Sequence, residues 1–60
     1  MNSRVEINPA ICGGRPIISG TRITVQTILE FLGAGDSIED VLNAYPSLTR
    51  ADVLAALQEA

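Results

Sequence analysis

The feature that most constrains this 60-residue chain is a series of three helix start signals after residue 23, spaced so closely that the connections between them must be short. Thr24 precedes the first helical pattern, and Ser37 and Thr49 each stand three residues before an aspartate. A hydroxyl in this position accepts a hydrogen bond from a first-turn amide, and an acid three residues later returns one to the cap. The sequence therefore predicts three short helices, beginning after Thr24, Ser37 and Thr49.

Stop signals and apolar spacing complete the three predicted helices. Gly33 and Gly35 offer the left-handed backbone that ends the first helix, and Pro46 ends the second near Ala44. Each helix has apolar residues at helical spacing, which we expect to face one core. These are Val25, Ile28, Leu29 and Leu32, then Ile38, Val41, Leu42 and Tyr45, then Val53, Leu54 and Leu57. The last two helices, joined by a compact turn, are typical of a helix-turn-helix unit.

Residues 1–23 have extended rather than helical character. Arg4 to Ile7 alternate polar and apolar residues, as in a strand with one buried face, and Gly13-Gly14 indicates a turn before extended structure resumes. Pro16 cannot donate a ladder hydrogen bond, so the second segment should begin a strand or lie at a sheet edge. We predict a mainly α fold in a single domain over residues 1–60. A short extended arm or hairpin (1–23) precedes a three-helix, helix-turn-helix-like bundle (24–60).

The size of the chain implies a partner. A chain of 60 residues buries only about 60% of the surface that its unfolded form exposes. A single cysteine and the absence of histidine leave no internal disulfide and no ordinary zinc site, so we expect a homo-oligomer or docking onto another protein. No apolar run approaches the roughly 20 residues of a membrane span, and the N-terminus lacks the pattern of a secretory signal. These features predict a cytoplasmic protein without membrane contact.

Residue types that perform catalysis are nearly missing from the sequence. Cys12 has no histidine or lysine to activate it, and a small buried apolar residue is the simpler interpretation. Gly13-Gly14 lacks the helix and lysine of a phosphate-binding loop. The acids near residues 36–40 suit a solvated helix end better than a divalent cation. We therefore expect no enzymatic activity, no cofactor and no metal.

The charge is distributed unevenly along the chain. Residues 1–22 carry three arginines and one glutamate, which is formally plus 2, whereas residues 23–60 carry one arginine and six acids, which is formally minus 5. A DNA-binding unit would use the start of the third helix together with the N-terminal arginines. The DNA-contact candidates are therefore Arg4, Arg15, Arg22, Thr49 and Arg50. For Arg22, between Gly20-Thr21 and the first cap, a structural role is the favoured interpretation.

Three blocks in order, Gly14-Arg15-Pro16, Gly20-Thr21-Arg22 and Tyr45-Pro46-Ser47-Leu48-Thr49, extend over nearly the whole chain. With these blocks the sequence resembles the bacterial and archaeal domain-of-unknown-function family numbered four-three-three. The resemblance implies a three-helical, helix-turn-helix-like domain and, for many members, an antitoxin role beside a PIN-like ribonuclease toxin. It further implies a dimer that binds its own promoter DNA.

The charge distribution fits the toxin partner, because an acidic helical half can dock on the basic surface with which a ribonuclease binds RNA. We expect this acidic surface to consist of Glu30, Asp36, Glu39, Asp40, Asp52 and Glu59. The partner-binding candidates are Phe31, Glu39 and Tyr45, although both aromatic residues could equally fill the core. Two alternatives stay open: a DNA-binding regulator without a toxin, and a structural protein–protein adaptor.

Overall fold

The computed structural model describes residues 3–59, so residues 1, 2 and 60 of the predicted domain lie outside the described part. Two short strands, β1 (Val5–Glu6) and β2 (Ile17–Ile18), are followed by three helices, which are α1 (Val25–Gly33), α2 (Ile38–Ala44) and α3 (Arg50–Gln58). This order confirms the predicted mainly α fold with an N-terminal hairpin before three helices.

All three helices begin where the start signals predicted. The Thr24 hydroxyl accepts a hydrogen bond from the Thr27 amide at 3.1 Å. Complete capping boxes open the other two helices, in which Ser37 and Thr49 exchange hydrogen bonds with Asp40 and Asp52. Each box satisfies two amides that a helix start otherwise leaves without partners, so the starting points of α2 and α3 are specified by the local sequence.

The connections between the helices are short and are closed by backbone hydrogen bonds. Gly35 has a φ of +95°, and the next amide, that of Asp36, donates to the Phe31 carbonyl at 3.1 Å. This is a Schellman ending, in which glycine provides a left-handed backbone. Between α2 and α3, the Leu48 amide donates to the Tyr45 carbonyl at 2.9 Å, and Leu48 itself is buried. Both turns are therefore closed by backbone hydrogen bonds within a few residues.

The hairpin is more integrated into the fold than a free arm. β1 and β2 pair antiparallel, with Val5 opposite Ile18, but Ile7 lies beyond the strand and is exposed. The predicted burial of one strand face is therefore confirmed at Val5 and wrong at Ile7. β2 begins directly after Pro16, as predicted, and although the sheet has only two strands, the outer side of β2 is partly covered. Its other side bonds to the segment before α1, since Ile18 donates to the Ile23 carbonyl at 3.0 Å.

The core combines residues from both strands, all three helices and the last turn. Its buried members are Val5, Ile18, Val25, Ile28, Val41, Leu48, Val53, Ala55 and Ala56. The predicted stripes of α1 and α2 are confirmed, but that of α3 was wrong beyond Val53. Leu54 and Leu57 are 46% and 43% exposed, whereas Ala55 and Ala56 are buried. The physical reason is that α3 packs against α1 and α2 through small side chains, which turns its leucines outward.

Candidate functional site

Asp52 is part of the fold rather than of an acidic docking surface. Its side chain accepts from the Thr49 amide at 2.9 Å and from the Arg4 guanidinium at 3.1 Å, and only 8% of the residue is exposed. Burial alone would raise the pKa of Asp52, but these hydrogen bonds outweigh burial and hold the pKa below its usual 3.8. The expectation that Asp52 offers charge to a partner is therefore corrected.

Two further predicted contact residues bind each other. Arg50, at the start of α3, forms an ion pair with Glu39 of α2. Arg50 was a candidate for DNA and Glu39 for a basic partner, so each reduces the charge that the other presents. Both side chains stay more than half exposed, and in such positions a pair contributes little to stability.

The structure brings Arg15 and Arg22 together around Cys12. The Arg15 Nε donates to the Cys12 carbonyl at 3.1 Å, and the Cys12 thiol donates to the Arg22 carbonyl at 3.3 Å. Both arginines are exposed, and within residues 3–59 the Arg22 guanidinium has no hydrogen-bond or ion-pair partner. The favoured structural role for the Arg22 side chain thus finds no contact to support it. Both arginines thus lie beside Cys12, Arg15 through its side chain and Arg22 through its backbone carbonyl.

The start of α3 is poorly equipped to recognise DNA bases. The Thr49 hydroxyl accepts from the Asp52 amide at 3.2 Å, so this predicted contact is used as a cap. Beyond Arg50, the exposed positions of α3 are Ala51, Leu54, Leu57 and Gln58. A recognition helix needs polar side chains that reach base edges and cations that neutralise phosphates. Instead, α3 presents an apolar outer surface, which sequence reasoning missed because it placed both leucines in the core.

Phe31 and Tyr45, the predicted aromatic anchors, lie in contact with each other. Their ring centroids are 5.8 Å apart and their planes meet at 75°, which is a favourable edge-to-face pair. Both residues are half-buried against the core. Phe31 also lines an open pocket of about 260 Å³ with Thr27, Glu30, Ala34 and Asp36, which we call the acidic pocket. Its signal in the sequence is one aromatic residue close to two carboxylates around the end of the first helix.

The acidic pocket is electrostatically suited to a cation. Glu30 lies in the last turn of α1, where the helix carries partial negative charge and no basic residue balances it. The Glu30 carboxylate accepts a hydrogen bond from the neutral Gln26 amide at 3.4 Å. Among the described residues, neither Glu30 nor Asp36 forms an ion pair. The field from the helix end and the two carboxylates therefore adds over the Phe31 ring.

The described part of the chain contains neither a cluster of metal ligands nor a membrane-spanning helix. Between Ser3 and Glu59, no three acidic or thiol side chains come together to hold a metal ion. In the same range, the longest helices have nine residues, and none has the length and apolar character required to cross a bilayer.

Comparisons with known proteins identify one family model and two similar chains. Residues 5–60 match a family model described as "Protein of unknown function (DUF433)". The "Uncharacterized protein y4eO" of Sinorhizobium fredii is 43% identical over 44 residues, which cover 73% of this chain and 20% of that protein. A crystal structure of a DUF433 member from Anabaena variabilis superposes with a TM-score of 0.90 at 34% identity. It is matched by 97% of this chain, over 57% of its own length. The chain thus spans a fifth of the curated relative and just over half of the solved one.

Proposed function

We propose, from the premise that the chain belongs to the DUF433 family of proteins of unknown function, that it is a non-enzymatic binding protein of antitoxin type. Its partner in this proposal is a PIN-like ribonuclease, captured in the cytoplasm by the acidic pocket. The family membership gives the fold, whereas the toxin partner is suggested by the antitoxin role implied for many relatives and by the charge of the pocket.

The observation that carries the proposal is the combination of an aromatic ring with two carboxylates in one pocket. Phe31 provides the ring, and Glu30 and Asp36 provide the carboxylates. An arginine side chain from a partner can stack its guanidinium on an aromatic face while carboxylates accept its hydrogen bonds. Ribonucleases bind polyanionic RNA with basic residues, so an occupant of this kind would come from the surface that RNA must reach.

The resulting mechanism is competition for the ribonuclease's basic surface. Glu30 and Asp36, together with the residual charge around Glu39 and Asp40, attract a basic partner and speed its association. Insertion of a basic side chain beside Phe31 then slows dissociation, because aromatic and arginine contacts in a central pocket carry much of the binding energy of an interface. No group of the chain needs to react with the toxin.

The test combines co-expression with a matched pair of variants. The chain is co-expressed with the product of the neighbouring gene, and growth rescue and co-purification are scored. Asp36→Asn and Asn43→Lys each raise the net charge by one at an exposed position, but only Asp36 lines the pocket. We expect Asp36→Asn to weaken capture roughly fivefold, equivalent to about 1 kcal/mol, and to slow association more than Asn43→Lys does.

Two results would contradict the proposal. One is that the wild-type chain neither rescues growth nor co-purifies with the ribonuclease. The other is that Asp36→Asn and Asn43→Lys change capture equally, because net charge rather than the pocket would then determine binding. Folding of each variant is checked by its thermal unfolding.

A second candidate function, promoter binding, is favoured by one observation only. Arg15 and Arg22 each contact Cys12, Arg22 through its backbone carbonyl, and both are exposed, so each side chain is accessible to a phosphate. Retention of promoter DNA that falls steeply with salt, and falls further in Arg22→Gln, would support this function. A protein that captures partners but shows neither ribonuclease neutralisation nor DNA retention would instead be a structural adaptor.

A further inference from the structure

The outer face of α3 is exposed and apolar at its centre. We define this face by Ala51, Leu54, Leu57 and Gln58, all of which are exposed. Its two leucines are 46% and 43% exposed, although transfer of a leucine side chain out of water lowers the free energy. Beside Leu54 lies an open pocket of about 270 Å³, so a protruding leucine and a recess occur on the same surface.

Electrostatics argues against the two macromolecular partners considered above as occupants of this face. The single carboxylate of α3, that of Asp52, points inward to Arg4, so the outer face offers no anion to a basic ribonuclease. DNA would find Arg50 at one end and Arg4 in the recess, each already in an ion pair, around an apolar centre. The occupant that suits such a face is another neutral, apolar surface.

We propose that this occupant is a second copy of the chain, which forms a two-fold symmetric dimer through the outer face of α3. A two-fold interface uses the same patch on both copies, so the patch must be complementary to itself. At 100° per residue Leu54 lies at the centre of the face. Ala51 and Gln58 flank it on one side, and Leu57 and Arg50 flank it on the other.

An antiparallel arrangement of the two helices meets this requirement. With the symmetry axis at Leu54, the two Leu54 side chains contact each other across the axis. Leu57 of each copy lies over the aliphatic stem of Arg50 of the other, and Gln58 extends over Ala51 beside the recess. Each flanking contact therefore joins a long side chain to a small or flexible one. The antiparallel direction also places opposite ends of the two helix dipoles together.

The size of the chain supplies an independent reason for a dimer. Small domains gain stability from oligomerisation when they have neither a disulfide nor a structural metal, and this chain has one cysteine and no histidine. The dimer does not depend on the proposed toxin. Its face and the acidic pocket share no residue, so either inference can fail without the other.

Symmetry-dependent cross-linking tests the position of the axis. In a Cys12→Ser background, which keeps a donor for the Arg22 carbonyl, Leu54→Cys places one thiol per copy at the proposed axis. The two thiols should lie within the roughly 7 Å Cα separation that a disulfide allows, so mild oxidation should give a covalent dimer. Asn43→Cys in the same background is exposed on α2 and should stay monomeric on a denaturing gel.

Sedimentation equilibrium provides the second measurement. The wild-type chain should sediment as a dimer, and Leu54→Glu, which changes an exposed residue and leaves the core intact, should sediment as a folded monomer with an unchanged circular dichroism spectrum. Asn43→Glu is the matched control and should remain dimeric. A wild-type chain that stays monomeric at about 1 mM would overturn the inference. If the wild-type chain is monomeric and Leu54→Glu also loses ribonuclease capture, the face binds the toxin and the dimer inference is wrong.

Discussion

The two capping boxes allow the contribution of the Arg4 ion pair to be measured within one molecule. Asp40 and Asp52 have the same role at the third position of α2 and α3, and each accepts from its cap amide at 2.9 Å. Only Asp52 has a further partner, the Arg4 guanidinium at 3.1 Å. Asp40→Ala should therefore cost about 1 kcal/mol, the usual value of one lost hydrogen bond, because it removes the acceptor of the Ser37 amide.

Asp52→Ala should cost about 2 kcal/mol, because it also removes the contact with Arg4. That contact contributes up to about 1 kcal/mol, a modest value since the Arg4 side chain is 52% exposed. In a domain of this size, a difference of about 1 kcal/mol corresponds to roughly 4–8 °C in melting temperature. The measurement is thermal or urea unfolding of both variants in the presence and absence of Arg4→Ala.

Combining Arg4→Ala with each aspartate variant in a double-mutant cycle measures the free energy that the Arg4–Asp52 ion pair contributes. If Arg4→Ala leaves the stability difference between Asp40→Ala and Asp52→Ala unchanged, the ion pair contributes nothing and our account of Asp52 is wrong.

The pKa of Asp52 is lowered in the folded state, so the stability contributed by the Asp52 carboxylate is complete above its ordinary pKa of 3.8 and disappears as the pH falls through the folded value. The stability gap between wild type and Asp52→Ala should accordingly narrow only in acid below pH 3.8. Narrowing near neutral pH would contradict the assigned pKa direction.

Two further predictions use matched pairs. Gly35→Ala should destabilise the chain by about 1 kcal/mol, because φ at this position is +95°, whereas Gly33→Ala, inside α1 with nothing near the added methyl, should be neutral or stabilising in urea unfolding. Ile28→Ala should cost about 2–5 kcal/mol because it empties a fully buried position, and Ile7→Ala, at a 51% exposed position, should stay within about 0.5 kcal/mol by the same measurement. Equal losses within either pair would refute the corresponding part of the fold.

The success of sequence reasoning depended on the range of the interactions. The caps at Thr24, Ser37 and Thr49 were predictable because a cap and its partner lie within three residues. The bond between Arg4 and Asp52 joins residues 48 apart, and no local pattern reveals it. Charge counting therefore treated both residues as free for partners.

The candidate sites differ in the same way. The acidic pocket was partly predictable, since Glu30, Phe31 and Asp36 are close in sequence at a predicted helix end. The outer face of α3 was not, because the apolar spacing of Leu54 and Leu57 predicts burial, and only the tertiary packing of Ala55 and Ala56 shows the reverse. Alanine is small enough to serve either side of a helix, so its position is settled by neighbouring elements.

The division of labour within α3 has a consequence for how such a chain can diversify. Val53, Ala55 and Ala56 hold the fold together, while Leu54 and Leu57, interspersed with them, contribute little to the interior. Substitutions at the two leucines can therefore accumulate without unfolding the domain, and each changes the surface that is available for binding. Homologous chains can thus acquire new binding specificities through substitutions in one short helix while the fold is retained.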